Sequence, residues 1–457
     1  MKNWISCFVL LFLATTAKAT HEAGGQISTR YLSAGQQEVK ITLWVDSTGL
    51  TANSINYSVQ GNGLTTPYTA SLNSSTTIGN ALMENVYLDT VSFTTTGSYK
   101  FVYQSCCRSA QITNLVSPAQ QNFYIYTQFY YSPNIVNSTP EFLNTPDFYA
   151  GLIDTFLHNP LAADIDNDAM LFYSGNVYGN NGQAIPFNFN PYPFFGWSFG
   201  VDSLNGEVHW MPSTTGTYVY TVLVNEWRNG TNISSSLREA LINTCNGCKT
   251  TMSNDFMFQT DGWPNNGQHI LLNTYANTPY SITFSGTTSA MNANSLVMKM
   301  PSQPNVHQNK PIFTSVQTGQ TVSGTFTWTP QTTQVNNDPY LGVLVGQEIN
   351  ATNQRRQKEK TIYIKVNPGQ ANGLNETEQQ HLRVYPNPAQ TTLRIDFNEN
   401  NIANKYLHVV SMDGRVMFEH KPGTTQGTIL VDVQNWANGV YVLKSNFHDA
   451  QTVLIRH

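Results

Sequence analysis

Charged residues make up only 11% of this 457-residue chain, against about 25% in an ordinary globular protein. The 23 Lys and Arg and 28 Asp and Glu are spread without long runs, for a net charge of -5. That leaves no electrostatic footprint for nucleic acid or anionic lipid, so neither is an expected partner. Long apolar runs are also missing. After residue 19 nothing approaches the roughly 18 to 20 apolar residues of a membrane helix, and no transmembrane segment is expected in the mature chain. Helical periodicity is nearly absent, which argues against a helical fold or a mixed α/β fold.

Cysteine is scarce too. A Lys at position 2, an apolar stretch from Ile5 to Ala14 and Ala17-Lys18-Ala19 read as a signal peptide over 1–19, with Thr20 as the expected mature start. Its removal takes Cys7 and leaves Cys106, Cys107, Cys245 and Cys248 in a chain that has crossed an oxidising compartment. Two disulfides are the expectation. Neighbours bridge only through a strained ring, so Cys106 and Cys107 are each expected to reach Cys245 or Cys248 and staple the first two modules together. The alternative is zinc at Cys245-Asn-Gly-Cys248, but a zinc ribbon wants two such knuckles.

What the chain does contain is alternation with period two. Val39, Ile41, Leu43 and Val45 share one face while Lys40 and Thr42 take the other, and Tyr99, Phe101 and Tyr103 repeat the pattern. Short strands between Gly, Asn, Pro and Ser clusters predict an all-β chain of tandem antiparallel β-sandwiches. Gly206-Glu-Val208-His-Trp210-Met-Pro212 recurs as Gly324-Thr-Phe326-Thr-Trp328-Thr-Pro330, each position displaced by 118 residues. Such a period is one immunoglobulin-sized module, and each Trp is expected to plug a core. The expected units are an N-terminal sandwich at 20–135, two repeated Ig-like or cadherin-like sandwiches at 136–250 and 251–367, a polar linker at 368–382 and a small β unit at 383–457.

The last unit carries a resemblance. Tyr385-Pro386-Asn387-Pro388, the Asp413-Gly414 turn, Gly439-Val440-Tyr441 and a strand at the extreme C-terminus resemble the type A sorting domain of type IX secretion cargo in Gram-negative bacteria. The resemblance implies that this domain brings the folded protein to the outer-membrane translocon and is removed by a sortase-like peptidase. The cargo is then secreted or held at the outer-membrane cell surface. Physically, two prolines flanking an Asn set a rigid, non-helical approach to a strand. A second resemblance rests on Thr20 to Ile27, Cys106-Cys107-Arg108, Asn137 to Pro140, Ala163 to Asp168, and Glu226-Trp227-Arg228. These are similar to large surface proteins exported by the same route, which carry tandem Ig-like or cadherin-like modules and several of which belong to gliding and adhesion machinery.

Four local features bear on chemistry. Asp164, Asp166 and Asp168 place three carboxylates in one turn, an oxygen-rich set suited to calcium. The turn is not an EF-hand, since Ala169 and Gly175 stand where Gly and Glu are required. It resembles the Asp-rich segment of cadherin-like modules, where calcium stiffens a module boundary. Gly196-Trp197-Ser198-Phe199-Gly200 fits a nucleophile-elbow pattern but lacks the strand-turn-helix context, so no catalytic residue is expected. The aromatic run from Phe187 to Phe199, with Tyr192, Phe195 and Trp197, is either the cover of a sandwich end or a glycan platform. Arg355, Arg356, Lys358, Glu359 and Lys360 read as a solvated strand end. The functional expectation is a non-enzymatic surface or adhesion protein whose partners are other surface proteins or glycans; the alternative is carbohydrate binding through the aromatic run.

Overall fold

A computed structural model describes residues 22–47, 51–189, 199–246, 248, 257–259, 270–288, 293–350, 355–369, 381–398, 406–412, 414–445 and 451–457. The expected signal peptide and most of the expected linker lie outside these residues. The chain forms two compact units, Met1–Gln370 and Ala371–His457. Both are built of β-strands, with short 3-10 turns as the only helical segments among the described residues.

The first unit opens with seven strands: β1 (Glu22–Ser33), β2 (Gln36–Asp46), β3 (Ser54–Gly61), β4 (Leu64–Gly79), β5 (Leu82–Ser92), β6 (Gly97–Ser105) and β7 (Phe123–Tyr131). They pair in the order β1-β2-β5-β4-β3-β6-β7, and the Thr231–Cys245 strand then pairs with both β7 and β1. Eight strands thus close into a ring around Val39, Ile41, Leu43, Val45, Phe101, Tyr103, Ile125 and Phe129. Alternation dictates which residues fill the ring, because every second residue of a strand points inward. Closure requires glycine at one point: a Cβ on Gly24 would stand 2.5 Å from the Glu239 backbone oxygen.

The ring does not end at residue 135. The Thr231–Cys245 strand pairs on with Gly216–Arg228, which pairs with the edge strand Ala169–Ser174. The expected boundary between 20–135 and 136–250 therefore cuts a continuous sheet. Alternation specifies which face of a strand is buried but not which strand lies beside it, so the shared strand was invisible to local pattern. A smaller sheet of Phe156–His158, Val208–Trp210 and Gly200–Val201 packs on the face of Gly216–Arg228 that carries Tyr218, Tyr220, Val222 and Val224. Phe148, Phe156, Phe172, Trp210, Tyr218 and Tyr220 fill the space between.

Residues 257–367 make two four-stranded sheets. One runs Met257–Gln259, Tyr280–Thr287, Thr321–Trp328, Ile312–Thr318, and the other Ile270–Tyr275, Arg355–Asn367, Tyr340–Asn350, Ala293–Lys299. Ile270–Tyr275 joins in parallel, a departure from the expected antiparallel pattern. Trp328 is buried as Trp210 is, each filling its own core.

The Arg355 to Lys360 stretch is not a solvated strand end. Arg355 is 7% exposed and donates to the Pro146 carbonyl. Glu359 accepts from His158 Nδ1 at 2.9 Å, the Asn159 backbone N–H at 3.0 Å and Asn144 Nδ2 at 3.1 Å. These charges face the 136–250 half because the strand carrying them lies against it, with Leu161 among Leu341, Val343 and Val345.

The second unit is a sandwich of two sheets. His381–Tyr385, Thr392–Asn398 and Gln426–Asp432 form one; Val416–His420, Leu407–Ser411, Gly439–Ser445 and Gln451–Ile455 form the other. Leu393, Ile395, Val409, Leu443, Val453 and Ile455 are its core. The hairpin from Leu407 to His420 turns at Gly414, whose φ is +88°, while Asp413 lies outside the described residues.

Candidate functional site

The turn following Ala162–Ala163 is organised by Asp164. Its carboxylate accepts the backbone N–H groups of Asp166 at 3.2 Å and Asp168 at 2.6 Å, and Asn167 adopts a left-handed φ of +60°. The next strand, Ala169–Ser174, pairs with Gly216–Arg228 in a register that sets Met170 opposite Glu226. That register brings a strand carboxylate to the turn.

Glu226 is 0% exposed. Its Oε2 accepts from Asn137 Nδ2 at 3.0 Å and from Ser234 Oγ at 2.5 Å, while its buried Oε1 has no hydrogen-bond partner. One carboxylate oxygen from each of Asp164, Asp168 and Glu226 lies within 4.8 Å of the others. Asp168 also takes the Arg228 guanidinium, with Nε at 2.7 Å. The expected third member, Asp166, is not in this cluster; it accepts the Ser138 backbone N–H at 2.7 Å. Burial pushes the Asp164 and Glu226 carboxyls well above the usual carboxylate range, and the Asp164 charge pushes Glu226 further. Its hydrogen bond to Asp168 holds the Arg228 guanidinium even more firmly charged.

Asp164 and Asp168 also line a cleft of about 480 Å³, whose far wall includes Asn336, Asp338, Tyr340 and Tyr363. Chemically the cluster is an all-oxygen, anionic donor set. The sequence held a signal for Glu226, since it is the only acidic residue in the strand Gly216–Arg228. An acid that continues the alternating core positions Tyr220, Val222 and Val224 is one that a partner must compensate.

Cys106 bonds to Cys107 and Cys245 to Cys248, correcting the expected long-range links. The loop that begins at the first pair is anchored by a buried ion pair from Arg108 to Glu239. Glu239 is six residues along an extended strand from Cys245, roughly 20 Å, beyond the about 7 Å Cα separation that a disulfide tolerates. Paired this way, Cys245 and Cys248 offer no thiolate for zinc.

The aromatic run divides. Phe189 stacks on Phe199 at 4.0 Å and meets Trp210 edge-on at 4.9 Å, so both ends belong to the core. Tyr192, Phe195, Trp197 and Ser198 lie outside the described residues.

In the second unit the Pro386-Asn387-Pro388 segment is tied to the last strand. Asn387 Nδ2 donates to the Thr452 carbonyl at 2.9 Å, and Asn387 Oδ1 accepts the Leu454 N–H at 2.7 Å. Tyr385 is 42% exposed, with its hydroxyl donating to Asp396 and the Arg394 guanidinium 5.4 Å from its ring. Tyr441 is buried and donates to the Ala437 carbonyl, two residues before Gly439 opens that strand. The motif residues, distant in sequence, thus converge on one end of the final hairpin.

Residues 383–455 match the secretion system C-terminal sorting domain. The chain is an exported all-β protein that carries its own terminal address, and it interacts with the export machinery through that domain. It is cargo of a type IX secretion system, bound for the cell surface or the medium. Among the described residues no helix is long and apolar enough to cross a membrane. No curated protein sequence matches the chain. Solved structures similar to it include human CDH23 EC21-23 (12% identity, 69% of this chain and 99% of that one, TM-score 0.18). Others are Dpr2 Ig1-Ig2 in complex with DIP-Theta Ig1-Ig3 (9%, 76% and 99%, 0.16) and a Bacteroides ovatus mixed-linkage glucan utilization protein, SGBP-B, in complex with a heptasaccharide (14%, 69% and 70%, 0.17). At such scores no residue role is transferred from them.

Proposed function

We propose that the mature protein is a non-enzymatic structural or adhesive component of the cell surface, and that a sortase-like peptidase removes its sorting domain after export. The observation that carries this reading is the Glu359 clamp. Three donors from residues 144–159 converge on one buried carboxylate of the 257–367 half, so the two halves of the first unit are joined by directional, charge-assisted hydrogen bonds. A shared strand joins the ring to the same body. Rigid connection of successive sheets suits a protein that transmits force or holds a binding face away from the membrane, and ordinary inter-domain contacts would leave hinges.

The test is deletion of the gene in its host and complementation with wild type or Glu359→Ala, scoring cell attachment and surface integrity. Loss of attachment on deletion, restored by wild type, supports the reading. Unchanged attachment and an intact surface in the deletion strain sink it.

A further inference from the structure

We propose that Asp164, Asp168 and Glu226 form a binding site for one calcium ion. Two observations independent of each other point there, and the charge of the ligated site agrees with them. Glu226 Oε1 is a fully buried carboxylate oxygen without a donor, which is costly for a charged group and is relieved when a cation ligates it. The three carboxylate oxygens lie within 4.8 Å of one another, the spread available to ligands about 2.3 to 2.6 Å from a common calcium ion. With all three carboxyls ionised, as ligation requires, Asp164, Asp168 and Glu226 against the Arg228 paired with Asp168 sum to −2, which a divalent ion neutralises.

The donors are all oxygen, which selects a hard cation over zinc or copper. The ion has a way in, because Asp164 and Asp168 line the cleft that opens beside Asn167 and Asp338. All three ligands belong to the 136–250 half. The ion therefore fastens the 164–168 turn to the Gly216–Arg228 strand at the edge of the large sheet, where Ala169–Ser174 is the last strand. This differs from an ion that bridges two modules, and it excludes Asp166, whose carboxylate is taken by Ser138.

The experiment is calorimetric titration of CaCl₂ into the full chain after EDTA dialysis, with thermal unfolding followed in calcium and in EDTA. Wild type is expected to bind one equivalent and to unfold at higher temperature in calcium, since a ligand of the folded state stabilises it by mass action. Glu226→Gln, which keeps the shape and the two donated hydrogen bonds, is expected to weaken binding at least tenfold and to lose the calcium-dependent thermal shift. Asp166→Asn is expected to bind as wild type does. Circular dichroism establishes that each variant is folded, and should Glu226→Gln fail to fold, Asp168→Asn replaces it with the same expectation. Absence of calcium binding by wild type overturns the proposal. So does undiminished binding by Glu226→Gln, which would make that carboxyl a protonated or water-bound core group, or abolition of binding by Asp166→Asn, which would return the site to the three aspartates of the turn.

Discussion

His158 Nδ1 and Glu359 Oε1 stand 2.9 Å apart across the junction of two halves separated by 200 residues of chain, with both side chains buried. The same carboxylate also holds the Asn159 N–H and Asn144 Nδ2. Removing it takes this acceptor from the His158, Asn159, Asn144 and Gln357 donors in a site that water does not reach freely. Glu359→Ala is expected to destabilise the first unit by about 3 to 5 kcal/mol, because each buried donor left without an acceptor costs about 1 to 3 kcal/mol. Urea denaturation checks this; a loss below about 1 kcal/mol would show that the clamp is dispensable.

Ring closure depends on the approach of β1 to the Thr231–Cys245 strand. Gly24→Val would drive a side chain into the Glu239 carbonyl, the Ala240 backbone and the Trp44 ring. The first two cannot move without breaking the sheet. The expected result is loss of the Gly24 and Gly25 pairing, at a cost of about 2 kcal/mol or more by analogy with overpacked cores. Amide exchange across the 24–25 and 239–240 segments should rise in this variant, and protection equal to wild type would contradict the closure.

In the sorting unit, hydrogen bonds from Thr428, Tyr385 and Arg394 hold the Asp396 carboxyl down to about 2. A carboxyl depressed in the folded state stabilises it above the unfolded value near 3.8 and ceases to do so as pH falls through the folded value. The sorting unit is therefore expected to lose stability between pH 4 and pH 2 in wild type, and to lose less over that window in Asp396→Asn. Parallel acid titrations followed by tryptophan fluorescence of Trp436 compare the two; identical curves would remove Asp396 from the account.

Both disulfides are local. Proteolytic cleavage between residues 110 and 240, run without reductant, is expected to release separable fragments, and mass spectrometry should find Cys106 with Cys107 and Cys245 with Cys248. Fragments that part only after reduction would restore the long-range links.

The strands, the paired tryptophans and the sorting motif were legible because each is written in nearest neighbours: alternation, a repeated Trp before Pro, a Pro-Asn-Pro before a strand. The cation cluster was legible by half. Asp164 and Asp168 lie in one turn, but Glu226 arrives through a strand register some sixty residues away, and Asp166 turns to Ser138. The shared strand, the Glu359 clamp and the cysteine pairing were misread for a common reason. Each depends on which surface a segment meets, and in so sparsely charged a chain a run such as Arg355 to Lys360 reads as solvated until the opposing Asn144 and His158 are in place.

The strand that closes the ring has a consequence in time. Gly24 finds its partner Ala240 only after 216 further residues, so β1 and β7 keep unpaired edges while most of the first unit is still arriving. Such edges recruit any available strand, and pairings of this sequence separation form slowly. The interval between emergence of β1 and arrival of Thr231–Cys245 is the period of greatest exposure to misassembly. The finished body is one whose first strand waited for a neighbour delivered from the far side of the next module.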